Sequence, residues 1–311
     1  MTTFNKKVAI AGATGTLGPF IVKALLDAGF QVTALSRTGR TNTQDRGTGK
    51  ATGSLPSTVK SVQVDYTSED SLIAALQGHD VVISNLPTMD LEPALIEASI
   101  KAGVKRYIPP EFGSNVSGNA KNAALPVFKD TKAKIQKYLK EREDQISYTL
   151  VVNGFFLDWG LEAGIVVNFK GDRPVRVFDG GNGKHSLSTR TDIGKATAGI
   201  LLHPEETKNR AVYIYSTTVS QNEILDIARK VKPGFEPQLQ HVTTEQTLKD
   251  SYAALEKGGE SVGPAMLGFI LTSCFSDDGY GNDWSGYSDN ELLGITELSK
   301  ADLEKLIASN A

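Results

Sequence analysis

Three glycines constrain this chain more than any other feature of it. The string Gly12-Ala13-Thr14-Gly15-Thr16-Leu17-Gly18 directly follows an apolar stretch over 6–11, and Phe20, Ile21, Ala24, Leu25 and Ala28 then recur at helical spacing until Gly29. A second apolar stretch covers 31–36. Strand, glycine turn, helix and strand in that order form a β-α-β unit, and such units build parallel sheets. Gly12 permits a tight turn, Gly15 lets backbone approach a pyrophosphate and Gly18 lets the helix pack on the strand, while the helix amino end offers free N–H groups to an anion. A glycine-rich turn without a ligand reads the same way. Its position at the first strand of the unit favours phosphate binding by Gly12, Thr14, Gly15, Thr16, Leu17 and Gly18.

The alternation continues down the chain. Strands are expected over 61–64, 80–85, 106–108 and 147–152, with helices over 68–76, 91–102 and 130–143 between them. The fold class that follows is α/β, a doubly wound parallel sheet of the Rossmann type. Past Asn153 the pattern loosens into short strands at 175–178 and 211–214 and helices at 192–202, 221–231, 244–257 and 299–308. These predict a smaller α/β substrate lobe. Residues 1–155 form the dinucleotide-binding domain in this reading and 156–311 the lobe, with some of its segments returning to pack on the first domain. A ligand cleft is expected beyond the carboxyl ends of the strands. The stretch 38–58, rich in Gly, Thr and Ser, reads as a mobile loop after the second strand.

Composition narrows the function. Among 311 residues, 33 Lys and Arg stand against 36 Asp and Glu, which leaves no basic excess to neutralise a nucleic acid backbone. Apolar runs such as Val81-Val82-Ile83 fall far short of the roughly 20 residues of a membrane span, and neither a signal peptide nor an anchor is expected. The single cysteine, Cys274, suits a reducing compartment, so the cytoplasm is the expected location. The four histidines are scattered without ligand spacing, and no metal site is expected. No GxxxxGK[ST] loop occurs.

The second strand decides the cofactor. NAD-type ligands need a carboxylate at its end for the ribose 2′-hydroxyl. This chain has Ala34-Leu35-Ser36-Arg37-Thr38 there, followed by Arg40 and no acid. A guanidinium holds a 2′-phosphate through paired charge-assisted hydrogen bonds. Ser36 and Arg37 therefore predict NADPH, against the plainer reading of a solvated loop arginine. Asp65 could cap the next helix or accept from an adenine amino group. Asn85-Leu86-Pro87, at the end of the fourth strand, should pass beneath the cofactor.

One lysine breaks the rule that cations on a helix are solvated. At 3.6 residues per turn, Phe128, Lys132, Ile135, Gln136 and Leu139 share one stripe, whereas Lys134, Lys137 and Glu141 share another. Lys132 thus faces the core with Phe128 and Ile135. A buried ammonium has a depressed pKa and becomes a useful acid or base near neutrality.

Phe128 and Lys132 also have the spacing of the YxxxK pair of short-chain dehydrogenases, with Phe in place of Tyr. Together with the Gly12–Gly18 loop, Arg37, Pro110-Glu111-Phe112-Gly113, Lys132-Ala133-Lys134 and Asn153-Gly154-Phe155, this resembles the NmrA-like branch of atypical short-chain dehydrogenases. Within it the chain is similar to the isoflavone reductase and phenylcoumaran benzylic ether reductase group, its second lobe being closer to fungal members. The resemblance implies that Lys132 is the catalytic residue and that Glu111, Phe112, Asn153 and Phe155 border the nicotinamide and the substrate. It further implies hydride transfer from NADPH to an aromatic, phenylpropanoid- or isoflavonoid-like small molecule, with Lys132 handling the proton. Phe155, Phe156 and Trp159 read equally as substrate wall or core. A non-enzymatic NADP-sensing regulator and a quinone or carbonyl reductase remain the rival readings, and both a monomer and a homodimer are compatible with the sequence.

Overall fold

The computed structural model describes residues 7–37 and 55–311, so the expected loop lies outside the described residues up to position 54, as do Lys6 and Arg40. Strand β1 (Lys7–Ala11) enters the glycine turn, α1 (Gly18–Asp27) follows, and β2 (Gln31–Arg37) completes the unit. Next come β3 (Lys60–Val64), α2 (Glu69–Leu76), β4 (Val81–Ser84), α3 (Glu92–Lys101) and β5 (Arg106–Ile108). Ser68 caps α2 by accepting from Ser71 N, and Glu69 and Asp70 complement the dipole in its first turn. Short helices α4 (Ala120–Ala124) and α5 (Pro126–Lys129) precede α6 (Lys132–Lys140) and β6 (Ser147–Val152). The second half contains β7 (Phe155–Phe156), α7 (Leu157–Glu162), β8 (Val175–Phe178), β9 (Lys184–Ser188), α8 (Arg190–Leu202), β10 (Arg210–Tyr213) and β11 (Thr217–Ser220). It closes with α9 (Gln221–Val231), β12 (Leu239–Val242), α10 (Thr244–Lys257), α11 (Val262–Phe275) and α12 (Lys300–Ala308).

Seven strands form one parallel sheet in the order β10-β6-β5-β4-β1-β2-β3. The order reverses between β1 and β4, and a crevice opens there at the carboxyl ends of the strands. Both faces are covered. Ile10, Ile21, Ile83 and Ile193 fill one layer, and Leu72, Val82, Leu95 and Tyr107 the other. Each of these side chains is 0% exposed, which for an Ile or Leu contributes about 1.5–3 kcal/mol relative to leaving it in water. The doubly wound parallel sheet expected from the sequence is what forms. A smaller set, with β9 between β11 and β7 and a separate β8–β12 pair, makes the second lobe.

Two expectations need correction. The strand expected at 211–214 in the lobe is β10 of the large sheet, paired in parallel with β6 from Arg210↔Thr149 to Tyr213↔Val152. Arg106 helps to fix it there: 1% exposed, it donates to Ser147 Oγ (2.8 Å), Thr149 Oγ1 (2.9 Å) and the Pro204 carbonyl (2.6 Å), tying β5 and β6 to the segment that leads into β10. Helix α8 packs on α1 because Gly194 carries no Cβ to strike the Phe20 carbonyl. The helix expected over 130–143 forms as α6, but Thr131 (φ −124°, ψ −99°) separates it from α5, which ends at Lys129. Phe128 and Lys132 therefore do not share one helical stripe. They still meet, the Lys132 ammonium lying 5.5 Å from the centre of the Phe128 ring. Among the described residues no helix is long and apolar enough to cross a membrane.

Candidate active site

The crevice holds a cavity of about 830 Å³. Its floor is the glycine turn. Gly12 has φ +79° and a Cβ there would collide with the Asn85 carbonyl, so the turns after β1 and β4 are pressed together. Gly15 N donates to the Gly12 carbonyl (3.1 Å), and a Cβ on Gly18 would strike the carbonyls of Gly12 and Ala13. Leu17, the N-cap residue of α1, makes no side-chain cap hydrogen bond, and Pro19 sits in the first turn of the helix. Gly12, Thr14, Gly15, Thr16 and Leu17 all line the cavity, and Gly18 packs directly behind them.

Ser36 and Arg37 stand on the wall at the end of β2. Ser36 Oγ lies 3.3 Å from Ser61 Oγ, which gives this wall two hydroxyls beside the guanidinium. Asn85, Leu86 and Pro87 form the opposite rim, and Pro110, Phe112 and Phe156 close the far end. Cavity walls thus run from a cationic, hydroxyl-bearing end to an aromatic one. Asp65 is committed elsewhere: its Oδ1 accepts from Thr67 Oγ1 (2.7 Å) and Thr67 N (2.9 Å), bonds that hold its carboxyl below the usual range.

Besides Gly18 and Asp65, the anticipated Glu111, Lys132, Asn153 and Phe155 are not on the cavity wall. Glu111, 2% exposed, turns away from it behind Pro110 and Phe112, and burial pushes its carboxyl up against the opposing pull of Lys132. Lys132 lies behind the same segment, its ammonium donating to the Glu111 backbone carbonyl. Burial lowers the pKa of that ammonium, with Glu111 and then Cys274 acting in the opposite direction. Asn153 is fully buried, with Nδ2 on the Gly154 carbonyl (2.9 Å) and no partner for Oδ1.

Phe155 is the clear misplacement. It packs in the core of the lobe, 5.9 Å from the Trp159 ring and 5.2 Å from Phe275, and the residue that reaches the cavity is Phe156. Successive side chains of a strand point to opposite faces, so only one of the two phenylalanines of β7 could do so. Trp159 belongs with Phe155 in that core. Tyr66, Ser61, Leu55, Thr88 and Leu91 line the cavity without having been singled out in the sequence. Of these, only Tyr66 had a signal, since it directly follows the strand-end Asp65.

A doubly wound sheet with a glycine cradle at a helix amino end and a cleft at its topological switch point defines a dinucleotide-binding α/β protein. The sequence profile of the NmrA-like family matches residues 4–256. The oxidoreductase aprR of Aspergillus flavus is 33% identical over 310 residues, covering 97% of this chain and 98% of the relative. The isoflavone reductase homolog P3 of Arabidopsis thaliana is 31% identical, covering 80% and 82%. A solved structure of AtPrR2 with NADP+ and (+)-pinoresinol superposes with a TM-score of 0.70 at 22% identity, over 99% of both chains, a likeness of fold. The chain belongs to the NmrA-like family, among its isoflavone reductase-like oxidoreductases.

Proposed function

We propose that this chain is an NADPH-dependent reductase that delivers a hydride to an aromatic, phenylpropanoid- or isoflavonoid-like small molecule. The observation that carries this reading is the single cavity running from Arg37 and the glycine cradle to Phe112 and Phe156. NADPH fits the residues present: the cradle from Gly12 to Leu17 accepts the pyrophosphate, and Ser36 and Arg37 accept the 2′-phosphate. Asn85 and Leu86 support the dinucleotide from the β4 side. Residues 1–155 serve as the cofactor domain and 156–311 as the substrate lobe, with α8 and β10 returning to the first. Bound NADPH supplies the hydride.

The chain's own residues supply the rest. Pro110, Phe112 and Phe156 offer an apolar, aromatic wall against which a flat substrate packs and water is displaced. Lys132 holds the proton. Its lowered pKa favours release of that proton, and in this reading the ammonium exchanges the Glu111 carbonyl for a substrate oxygen. Once neutral, Lys132 would take the proton of a substrate phenol, and where the phenolate expels a benzylic oxygen the resulting quinone methide would accept the hydride with no tyrosine acid. Glu111 and Asn153, behind the wall, hold the segment that carries Phe112.

A second reading has one observation in its favour. Because the Lys132 ammonium sits on the Glu111 carbonyl and not on the cavity wall, a dinucleotide-sensing regulator without chemistry also accounts for the cavity. Fluorescence titration with NADPH and NADH tests what both readings share. Tighter binding of NADPH supports them, and equal affinity for the two nucleotides contradicts the role of Arg37.

A further inference from the structure

Arg190 opens α8 and is 8% exposed, yet its side chain reaches two further helices. Its Nε donates to Asp158 Oδ2 (2.9 Å) and its Nη2 to Glu162 Oε1 (2.6 Å), both on α7, while its backbone N–H donates to Asp158 Oδ1 (3.1 Å). The guanidinium carbon lies 4.8 Å from the centre of the Phe20 ring on α1, the helix that leaves the glycine turn. A buried ion cluster of this kind costs desolvation, and an apolar seam would hold the helices together as firmly. What a planar guanidinium fork adds is orientation.

Its place in the fold selects what is oriented. Phe156 of β7 pairs in parallel with Ser188 of β9. Asp158 and Arg190 each stand two residues further along, so their ion pair continues the register of the two strands past their ends. Phe156 is the last residue before α7, whose first turn Arg190 holds, and it lines the cavity at the end remote from Arg37. Phe20, Phe112 and Phe156 all pack against the same apolar layer. We propose that Arg190 is a positioning residue: through Asp158 and α7 it sets the Phe156 ring against the nicotinamide half of the dinucleotide, without lining the cavity itself. The assignment rests on the dinucleotide reading of that cavity.

The test compares NADPH with 2′,5′-ADP, which lacks the nicotinamide half, by calorimetric titration of the wild type, Arg190→Lys, Phe156→Ala and the double variant. Arg190→Lys keeps the charge and loses the fork. Each single variant should bind NADPH roughly three- to tenfold more weakly and 2′,5′-ADP as the wild type does. The double variant should bind NADPH no more weakly than Phe156→Ala alone, because Arg190 acts through that ring. Asp158→Asn, which weakens the pair from the other side, should show the same selective loss and takes the place of Arg190→Lys if that variant does not fold. Multiplied losses in the double variant, an equal loss for 2′,5′-ADP, or unchanged NADPH affinity in either single variant overturn the assignment and leave the dinucleotide reading intact. Failure of Arg190→Lys and Asp158→Asn alike to fold would give the pair to the fold alone and also overturn it. Failure of the wild type to bind either 2′,5′-ADP or NADPH overturns the dinucleotide reading and the assignment together.

Discussion

The backbone carbonyl of Asn85 occupies the space where Gly12 would carry a Cβ, so the turns ending β1 and β4 touch through an atom that only glycine lacks. The positive φ of Gly12 adds a second cost to any substitution. Gly12→Ala should therefore lower stability by about 2–4 kcal/mol in urea unfolding, from backbone strain and overpacking together. Gly15→Ala should behave differently. Its Cβ would meet the Gly12 carbonyl at 3.4 Å, ordinary contact, so the protein should fold as the wild type does and bind NADPH roughly tenfold more weakly, because the cradle is narrowed.

In the proposed reading Arg37 sets the nucleotide preference, since no carboxylate stands at the end of β2 to accept from a ribose 2′-hydroxyl. Arg37→Asp should weaken NADPH by ~2 kcal/mol, roughly thirtyfold, and improve NADH. Paired titrations of both nucleotides with both proteins check this, and a parallel loss for the two would assign Arg37 to the fold.

Glu92 carries a pH dependence. It is 0% exposed, and burial pushes its carboxyl up to about 7 despite the hydrogen bonds from Ser84 and Tyr107. A carboxyl whose folded pKa is raised contributes stability that is fully present below its unfolded value, near pH 4.3, and is lost as pH rises through the folded value. Glu92→Gln mimics the protonated acid. The variant should match the wild type at pH 5 and exceed it by about 2–3 kcal/mol at pH 8, read as the difference between the two urea curves at each pH.

Much of the frame was legible. The glycine turn, the alternation of strands and helices, and the end of β2 are local signals, and they located the cradle and Arg37. What the sequence hid was set by distant partners. The segment that becomes β10 is short and only partly buried, and its place beside β6 depends on α8 lying against α1 and on Arg106 gathering the threonines and carbonyl that lead into it. Helix α11 went unread because Val262–Phe275 is apolar on all sides and has no stripe to betray it, yet it brings Phe275 against Phe155 and Ser273 against Ser114 (2.6 Å). Phe155 and Phe156 were indistinguishable until strand β7 assigned one to the core and the other to the cavity. The helical stripe argument for Lys132 assumed a continuous helix, which Thr131 interrupts. The ammonium is enclosed all the same, because α6 opens directly beneath Glu111.

The most direct measurement is NADPH consumption, followed by absorbance, with a panel of phenolic and quinonoid aromatics and conjugated ketones, for the wild type, Lys132→Ala and Lys134→Ala. Lys134 is exposed and paired with Asp130 at 2.9 Å, so its loss should be nearly silent. At least one member of the panel should be reduced by the wild type and by Lys134→Ala at similar rates. Lys132→Ala should turn over about 10² or more slower while still binding NADPH. Equal rates for Lys132→Ala and Lys134→Ala would contradict the role given to Lys132, and no consumption with any member of the panel despite normal NADPH binding would contradict the account as a whole and favour the regulator.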